Sequence, residues 1–174
     1  MSPEELGRLF ESFRHSACRL ECLPTYDVTE DDEAEALQLF LNGKPEPPWR
    51  KHREWPDTVR RAKRRGAQIQ RVRLMETPPS NYQRFQCAWG YPANVEAGED
   101  IRILNHRPDG LLEVDYWLFD DSIAVVLEYD SEGRFLVPVA AETAEPYRQA
   151  RDMALKSSMP FREYRERIMT AQLW

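Results

Sequence analysis

Ile123-Ala-Val-Val-Leu-Glu-Tyr129 lies inside a longer run, Asp100 to Val139, whose reading decides the fold. Around it stand Asp100-Ile-Arg-Ile-Leu104, a Pro108-Asp-Gly110 turn, Leu112-Glu-Val-Asp-Tyr-Trp-Leu-Phe119 and Arg134-Phe-Leu-Val-Pro-Val139. These are apolar, β-branched or aromatic runs separated by Asn105, Pro108, Gly110, Asp120, Asp121, Asp130 and Gly133, the pattern of consecutive strands joined by tight turns. The pattern puts the middle of the sheet here. Ile123, Val125, Leu127 and Tyr129 form one apolar face, and Ala124 with Val126 makes the other face apolar near the strand start, so a helix layer is expected on at least one side. Asp115, an acid between bulky neighbours, is expected either at a solvated sheet edge, the preferred reading, or against a basic partner.

Outward from that run, Gln68 to Met75 reads as another strand, carrying Arg71 and Arg73. Ala17 to Cys22 alternates like a short strand that stops at Pro24. Ser2 is a cap for a helix from Pro3 to about Phe13, and Thr29 with Asp32 caps a second helix that Gly43 ends. Lys44 to Pro56, with its prolines, Trp49 and Trp55, predicts an extended connection. Asp57 is the expected cap of a basic helix from Thr58 to Arg65, stopped by Gly66. Ser80 and Gln83 form a second capping box for a short helix that Gly90 ends, with a further helical turn from Tyr91 to Gly98. Thr143 opens a C-terminal helix, interrupted at Pro160 and continued from Phe161 to Thr170.

The expected architecture is therefore α+β or α/β, one domain over 1–174 with a Pro/Trp/basic connection at 44–56. Its mixed, mostly antiparallel sheet has core strands at about 68–75, 101–105, 112–119, 122–129 and 135–139, packed with N- and C-terminal helices.

Of the 174 residues, 24 are Lys or Arg and 30 Asp or Glu, a net charge of −6. No uncharged run approaches the roughly 18 residues of a membrane span, and the N-terminus lacks the apolar core of a secretory signal, so a cytoplasmic location is expected. Cys18, Cys22 and Cys87 are an odd count that does not suggest a disulfide framework. His15-x-x-Cys18-x-x-x-Cys22 lacks a second ligand pair, so neither a metal nor any other cofactor is expected.

The charge is unevenly spread. Arg50, Lys51, Arg53, Arg60, Arg61, Lys63, Arg64, Arg65, Arg71 and Arg73 cluster against only Glu54 and Asp57, while Asp27 to Glu35 is acidic. Such polarity favours association with a partner or with another part of the chain.

Phe13-Arg-His-Ser-Ala-Cys-Arg-Leu-Glu, the pair Trp49 and Trp55, Arg71-Val-Arg, Ser80-Asn-Tyr-Gln-Arg-Phe, Ala97-Gly-Glu-Asp-Ile-Arg102, Asp115-Tyr-Trp-Leu-Phe-Asp-Asp121 and Tyr129-Asp-Ser-Glu-Gly carry a resemblance over nearly the whole chain. The chain resembles an uncharacterised actinobacterial, Streptomyces-type domain-of-unknown-function family encoded near helix-turn-helix regulators. That resemblance implies a regulatory partnership and brings no catalytic residues. In element order the chain is also similar to half of a phospholipase D domain. The His-x-Lys-x-x-x-x-Asp motif of that superfamily is missing: with Asp121 in the aspartate place the other two are Val114 and Tyr116, and with Asp120 they are Glu113 and Asp115. Neither register supplies a nucleophile, so the likeness implies a degenerate sheet used for binding.

The first functional expectation is a non-catalytic interaction or regulatory module, docking a protein partner such as a helix-turn-helix regulator through Trp49, Trp55, Arg60, Arg61, Arg64 and Arg65. The alternative is a ligand-binding protein or hydrolase with a polar and aromatic cleft of Arg71, Arg73, Tyr82, Arg84, Glu99, Arg102, Asp115, Trp117, Asp120 and Asp121. Direct nucleic-acid binding is third, set against the acidic overall balance.

Overall fold

Alternation of apolar residues along short runs produces a seven-stranded sheet in the computed structural model, which describes residues 1–28, 32–49 and 54–170. Its strands are β1 (Ser16–Glu21), β2 (Gln68–Leu74), β3 (Asp100–Leu104), β4 (Tyr116–Phe119), β5 (Ile123–Tyr129), β6 (Phe135–Ala140) and β7 (Met159–Pro160), in the order β6-β5-β4-β1-β2-β3-β7. The β1–β2 and β2–β3 pairs are parallel and the remaining pairs antiparallel, giving a mixed, mostly antiparallel sheet packed with helices: an α+β domain.

The sheet's centre is β1, which corrects the expectation that the run 100–139 holds the middle. Residues 100–139 are split: β3 lies on one side of β1 and β2, and the β4-β5-β6 meander lies on the other. Parallel neighbours need a crossover, and helices supply both of them. Between β1 and β2 run α2 (Asp32–Leu41) and α3 (Glu54–Arg64). Between β2 and β3 run α4 (Asn81–Phe85), a π-helical turn (Gln86–Gly90) and α5 (Tyr91–Ala97).

One sheet face carries Ala17, Ile69, Trp117, Phe119, Val125 and Leu127, covered by Phe13, Val59, Ala62 and the apolar side of α1 (Pro3–Ser12). Toward β3 that face continues through Ile101 and Ile103, under Cys87, Tyr91 and the Phe161, Tyr164 and Ile168 stripe of α7 (Phe161–Thr170). The opposite face, with Leu20, Val72, Leu104, Leu118 and Ala124, is covered by Ala150 and Ala154 of α6 (Glu145–Ser157).

Local signals place most helix ends. The Ser2–Glu5 and Ser80–Gln83 capping boxes both form, and the second helix ends at Gly43 (φ 66°). The expected cap Thr29 lies outside the described residues. Four boundaries differ from expectation. The 112–119 strand is shorter, because Leu111 and Leu112 pack on the α6 side from a loop before the ladder starts. Trp55 belongs to the first turn of α3 and not to the extended connection, and Asp57 sits inside that helix, ion-paired with Arg60 at 2.6 Å. Gly90 does not end a helix; its φ of −80° is helical and the chain continues through the π-helical turn into α5. Met159 and Pro160 form an edge strand on β3 that apolar periodicity does not announce.

Asp120 and Asp121 adopt positive φ (48° and 56°) at the centre of the turn that the Ser122 N–H closes on the Phe119 carbonyl at 3.0 Å, within the three-residue connection between β4 and β5, the geometry of a right-twisting hairpin. The Asp120 carboxylate accepts the backbone N–H groups of Arg14, His15 and Ser16 at 2.8, 2.7 and 3.0 Å, fastening the start of the central strand to the hairpin. Asp120→Ala leaves three donors without their acceptor and is expected to lower stability by about 1–3 kcal/mol in denaturant titrations. Asp120→Asn is expected to retain the larger part of that stability, because its amide oxygen still accepts.

Candidate binding pocket

Alternation along the central strands sends Arg19 and Glu21 of β1 and Arg71 and Arg73 of β2 to the same face as Trp117 of β4; Arg19 sits in register with both Arg71 and Trp117. Charged side chains at such positions need partners, because a lone ion in a desolvated interior is driven to neutralise. They find them in one network. The Nε of Arg71 donates to Glu99 at 2.7 Å and its Nη1 donates to Glu21, and the Nε1 of Trp55 donates to the other Glu99 oxygen at 2.7 Å. Arg19 donates from Nη2 to Asp115 and to the Tyr129 hydroxyl, both at 3.0 Å, and its Nε lies 3.6 Å from Glu21. Tyr26 donates to Asp115 and accepts from Nη1 of Arg73 at 3.1 Å. The Cys22 N–H also reaches Asp115, at 2.8 Å.

Asp115 is only 4% exposed, so the solvated-edge reading gives way to the paired one. The guanidiniums lie over indole faces: the Cζ of Arg71 lies 5.8 Å from the Trp55 ring centre and 6.0 Å from that of Trp117, and Arg19 lies 5.7 Å from Trp117.

Above this floor opens a cavity of about 230 Å³ lined by Glu21, Trp55, Arg71, Tyr82, Tyr91 and the rim residues Glu33, Gln86 and Asn94. Each ring in its wall is braced from behind. Trp55 is braced by Phe10 and Trp117, Tyr82 by Tyr26 and Phe85, and Tyr91 by Phe161, with centroids 5.4 to 6.3 Å apart. Gln86 donates to the Tyr82 hydroxyl at 3.0 Å and to Glu33 at 3.2 Å. It lies so close to Gly90 that a Cβ there would sit 2.0 Å from the Gln86 Oε1. Gly90 is therefore needed for room beside a pocket side chain, at a π-helical turn, a feature that recurs at functional sites.

Burial alone would raise the pKa of the Glu21 carboxyl, but Arg71, Arg19 and Arg73 outweigh it and hold that pKa below its ordinary value. Burial, reinforced by Glu21, pushes the phenol of Tyr91 well above its usual range, and burial with Glu33 does the same for Tyr82. A carboxylate whose pKa is depressed by folding adds stability that is complete above its unfolded pKa and fades as the pH falls through the folded one. The melting temperature is therefore expected to hold above about pH 4.5, the ordinary Glu value, and to drop below it. Glu21→Gln should flatten part of that drop in calorimetric melts across pH 3–6.

Of the cleft residues expected from sequence, Arg71 and Tyr82 line this pocket; Glu99, Arg73 and Asp115 belong to the network under it, and Trp117 packs behind Trp55. Arg102 lies on the other sheet face, donating to Ser158 at 3.0 and 2.9 Å. Asp120 holds the hairpin, Asp121 pairs with Arg151 of α6, and Arg84 is half-buried on α4 with its Nε lacking a hydrogen-bond partner. Of the docking residues, Trp55 turns inward to the pocket. Trp49 is 37% exposed, Arg60, Arg61 and Arg64 are exposed, and the exposed Arg65 reaches the carbonyls of Phe10 and Phe13 at 3.4 and 3.5 Å.

Sequence reasoning missed Glu21, Glu33, Gln86, Tyr91 and Asn94. Two signals were available: Arg19 and Glu21 alternate in step with Arg71 and Arg73, and Gly90 sits where helical spacing persists on both sides. The thiols stay outside the pocket lining, and burial raises the pKa values of Cys18, Cys22 and Cys87 to about 12. Among the described residues no group of three or more His, Cys, Asp and Glu side chains is placed to hold a metal, and no helix is long and apolar enough to cross a membrane.

A family model described as a domain of unknown function, DUF6879, matches residues 4–166. The chain belongs to the DUF6879 family. That span takes in every pocket residue of this DUF6879 chain, from Glu21 to Asn94, and also Glu99 and Asp115 of the floor network. No curated protein matches the chain.

Proposed function

We propose that this DUF6879 chain is a binding protein for a small polar ligand, taken up between Trp55, Tyr82 and Tyr91 over the Glu21–Arg71–Glu99 floor. The observation that carries this reading is the combination of an open, ring-walled cavity with a buried ion network under it. Chains rarely keep such networks for stability, because desolvating the ions costs about as much as their attraction returns. Pockets that combine apolar walls with a few convergent polar groups are the usual form of a ligand site.

A thermal-shift screen of the full chain against polar metabolites tests the proposal. The expected result is a concentration-dependent stabilisation by at least one compound, lost in Tyr82→Leu. Stabilisation that survives Tyr82→Leu and Gly90→Ala unchanged would move the site elsewhere.

The exposed cations of α3 and the exposed Trp49 support a second reading, docking of an acidic partner surface; a helix-turn-helix regulator of the actinobacterial type is the partner implied by the resemblance. Charge reversal at Arg61 and Arg64 is expected to abolish co-purification of such a partner while leaving pocket ligand binding intact. Retention of the partner by the reversed variant would count against this reading.

A further inference from the structure

The charge balance, size and walls of the pocket narrow the ligand, on the premise that the pocket reading above holds. In the floor network three guanidiniums, Arg19, Arg71 and Arg73, stand against three carboxylates, Glu21, Glu99 and Asp115. The lining adds the carboxylate of Glu33 to this balanced floor, so an anion seated there adds an uncompensated charge in a partly desolvated site. The site therefore disfavours an anion, and an uncharged occupant adds no charge to it. It still offers hydrogen bonds: with Nε and Nη1 of Arg71 committed to Glu99 and Glu21, its Nη2 makes no hydrogen bond to a described residue. Among the described residues, one oxygen of Glu21 is met by the Tyr91 hydroxyl alone, at 3.3 Å, a long contact.

Volume and shape narrow the choice further. About 230 Å³ is below the roughly 300–1,000 Å³ of sites for drug-sized molecules, so a single ring system with little attached to it is the scale of the occupant. Trp55, Tyr82 and Tyr91 all line the cavity, and each meets other rings behind it edge-on or tilted, so their faces are not closed off by one another. The polar groups at that space are a guanidinium, carboxylates and the amides of Gln86 and Asn94. These are the side-chain types that read purine edges: amides pair with the N6 and N7 edge of adenine and guanidiniums with O6 and N7 of guanine, while carboxylates accept from exocyclic amines.

We propose that the ligand is a neutral planar heterocycle of the purine class, inserted between the aromatic walls with its hydrogen-bonding edge toward Arg71, Gln86 and the carboxylates. Gly90 sets the position of the reading amide, since any side chain there displaces Gln86.

The test is an NMR titration of the full ¹⁵N-labelled chain with adenosine, guanosine, uridine, L-glutamine and choline, following the indole N–H of Trp55. A purine nucleoside is expected to shift that resonance saturably. Loss of one stacking wall in Tyr82→Leu should weaken its binding roughly tenfold or more. Gly90→Ala, whose nearest neighbours among the described residues are side-chain atoms of Gln86, is expected to keep the melting temperature within a few degrees and still weaken binding several-fold; if Tyr82→Leu does not fold, Gly90→Ala carries the comparison. If glutamine or choline shifts Trp55 and the nucleosides do not, the pocket reading stands and the planar, neutral assignment is overturned. If none of the five moves the resonance, the purine assignment is overturned, and the thermal-shift screen decides the pocket reading independently.

Discussion

Arg71→Met is expected to destabilise the fold by about 3–5 kcal/mol, the scale on which removing one member of a buried ion pair strands its partners. Methionine preserves the apolar stem against Trp55 and Trp117, so the loss belongs to the charge. Glu21 and Glu99 both donate their stability through this one guanidinium: Glu99 would keep Trp55 Nε1 as its donor, and Glu21 would keep Arg19 at 3.6 Å and Tyr91 at 3.3 Å. Glu21, buried with only those remaining contacts, has to protonate or draw in water. Urea denaturation at pH 7 measures the loss. A second signature separates charge from packing: the variant should regain stability as the pH is lowered, because protonating the stranded Glu21 relieves it, whereas the parent does not gain. Arg71→Met combined with Glu21→Gln should cost less than the sum of the two single changes, by the coupling expected of residues in one ion network.

Asp115→Ala is expected to fall in the same range, about 3–5 kcal/mol, because one carboxylate accepts from three donors of different origin. The Cys22 N–H belongs to the end of the central strand, the Tyr26 hydroxyl to the segment that follows, and Arg19 to the strand interior. Removing their common acceptor leaves a buried guanidinium with Tyr129 and the more distant Glu21 and frees the 22–28 segment from β4. Asp115→Asn keeps an oxygen for the Cys22 N–H and should recover part of the loss, while the missing charge remains. Equilibrium unfolding of the three proteins gives the ranking, with the parent above Asn and Asn above Ala. Equal stability of the Ala variant and the parent would show that Asp115 is solvated after all.

How legible was this molecule in its sequence? Where local chemistry decides an element, the residues announce it: Ser2 and Ser80 cap as their capping-box partners require, Gly43 stops its helix with positive φ, and Ile123 to Tyr129 is the strand its alternation describes. The central strand was misjudged for a physical reason. Arg19 and Glu21 look like solvent-facing positions when polarity is read as exposure, yet both are buried because their partners come from residues 71, 91, 115 and 129, far along the chain. The same compensation hid the pocket. Arg71 and Arg73 counted as part of a basic patch in sequence, but two-residue periodicity turns them under the helices, whereas Arg60, Arg61 and Arg64 of α3 stay outside. A linear charge count does not separate these two sets; strand periodicity does. Trp55 was legible as an anchor but not as a wall, since its orientation depends on Glu99, 44 residues later.

The most direct measurement of the central claim is the indole region of a ¹⁵N–¹H correlation spectrum recorded while a ligand found by thermal shift is added. If the pocket over Arg71 is the binding site, the Trp55 indole moves with saturation and the exposed Trp49 stays still. Movement of Trp49 with an unmoved Trp55 would contradict the account and put the function on the outer basic surface.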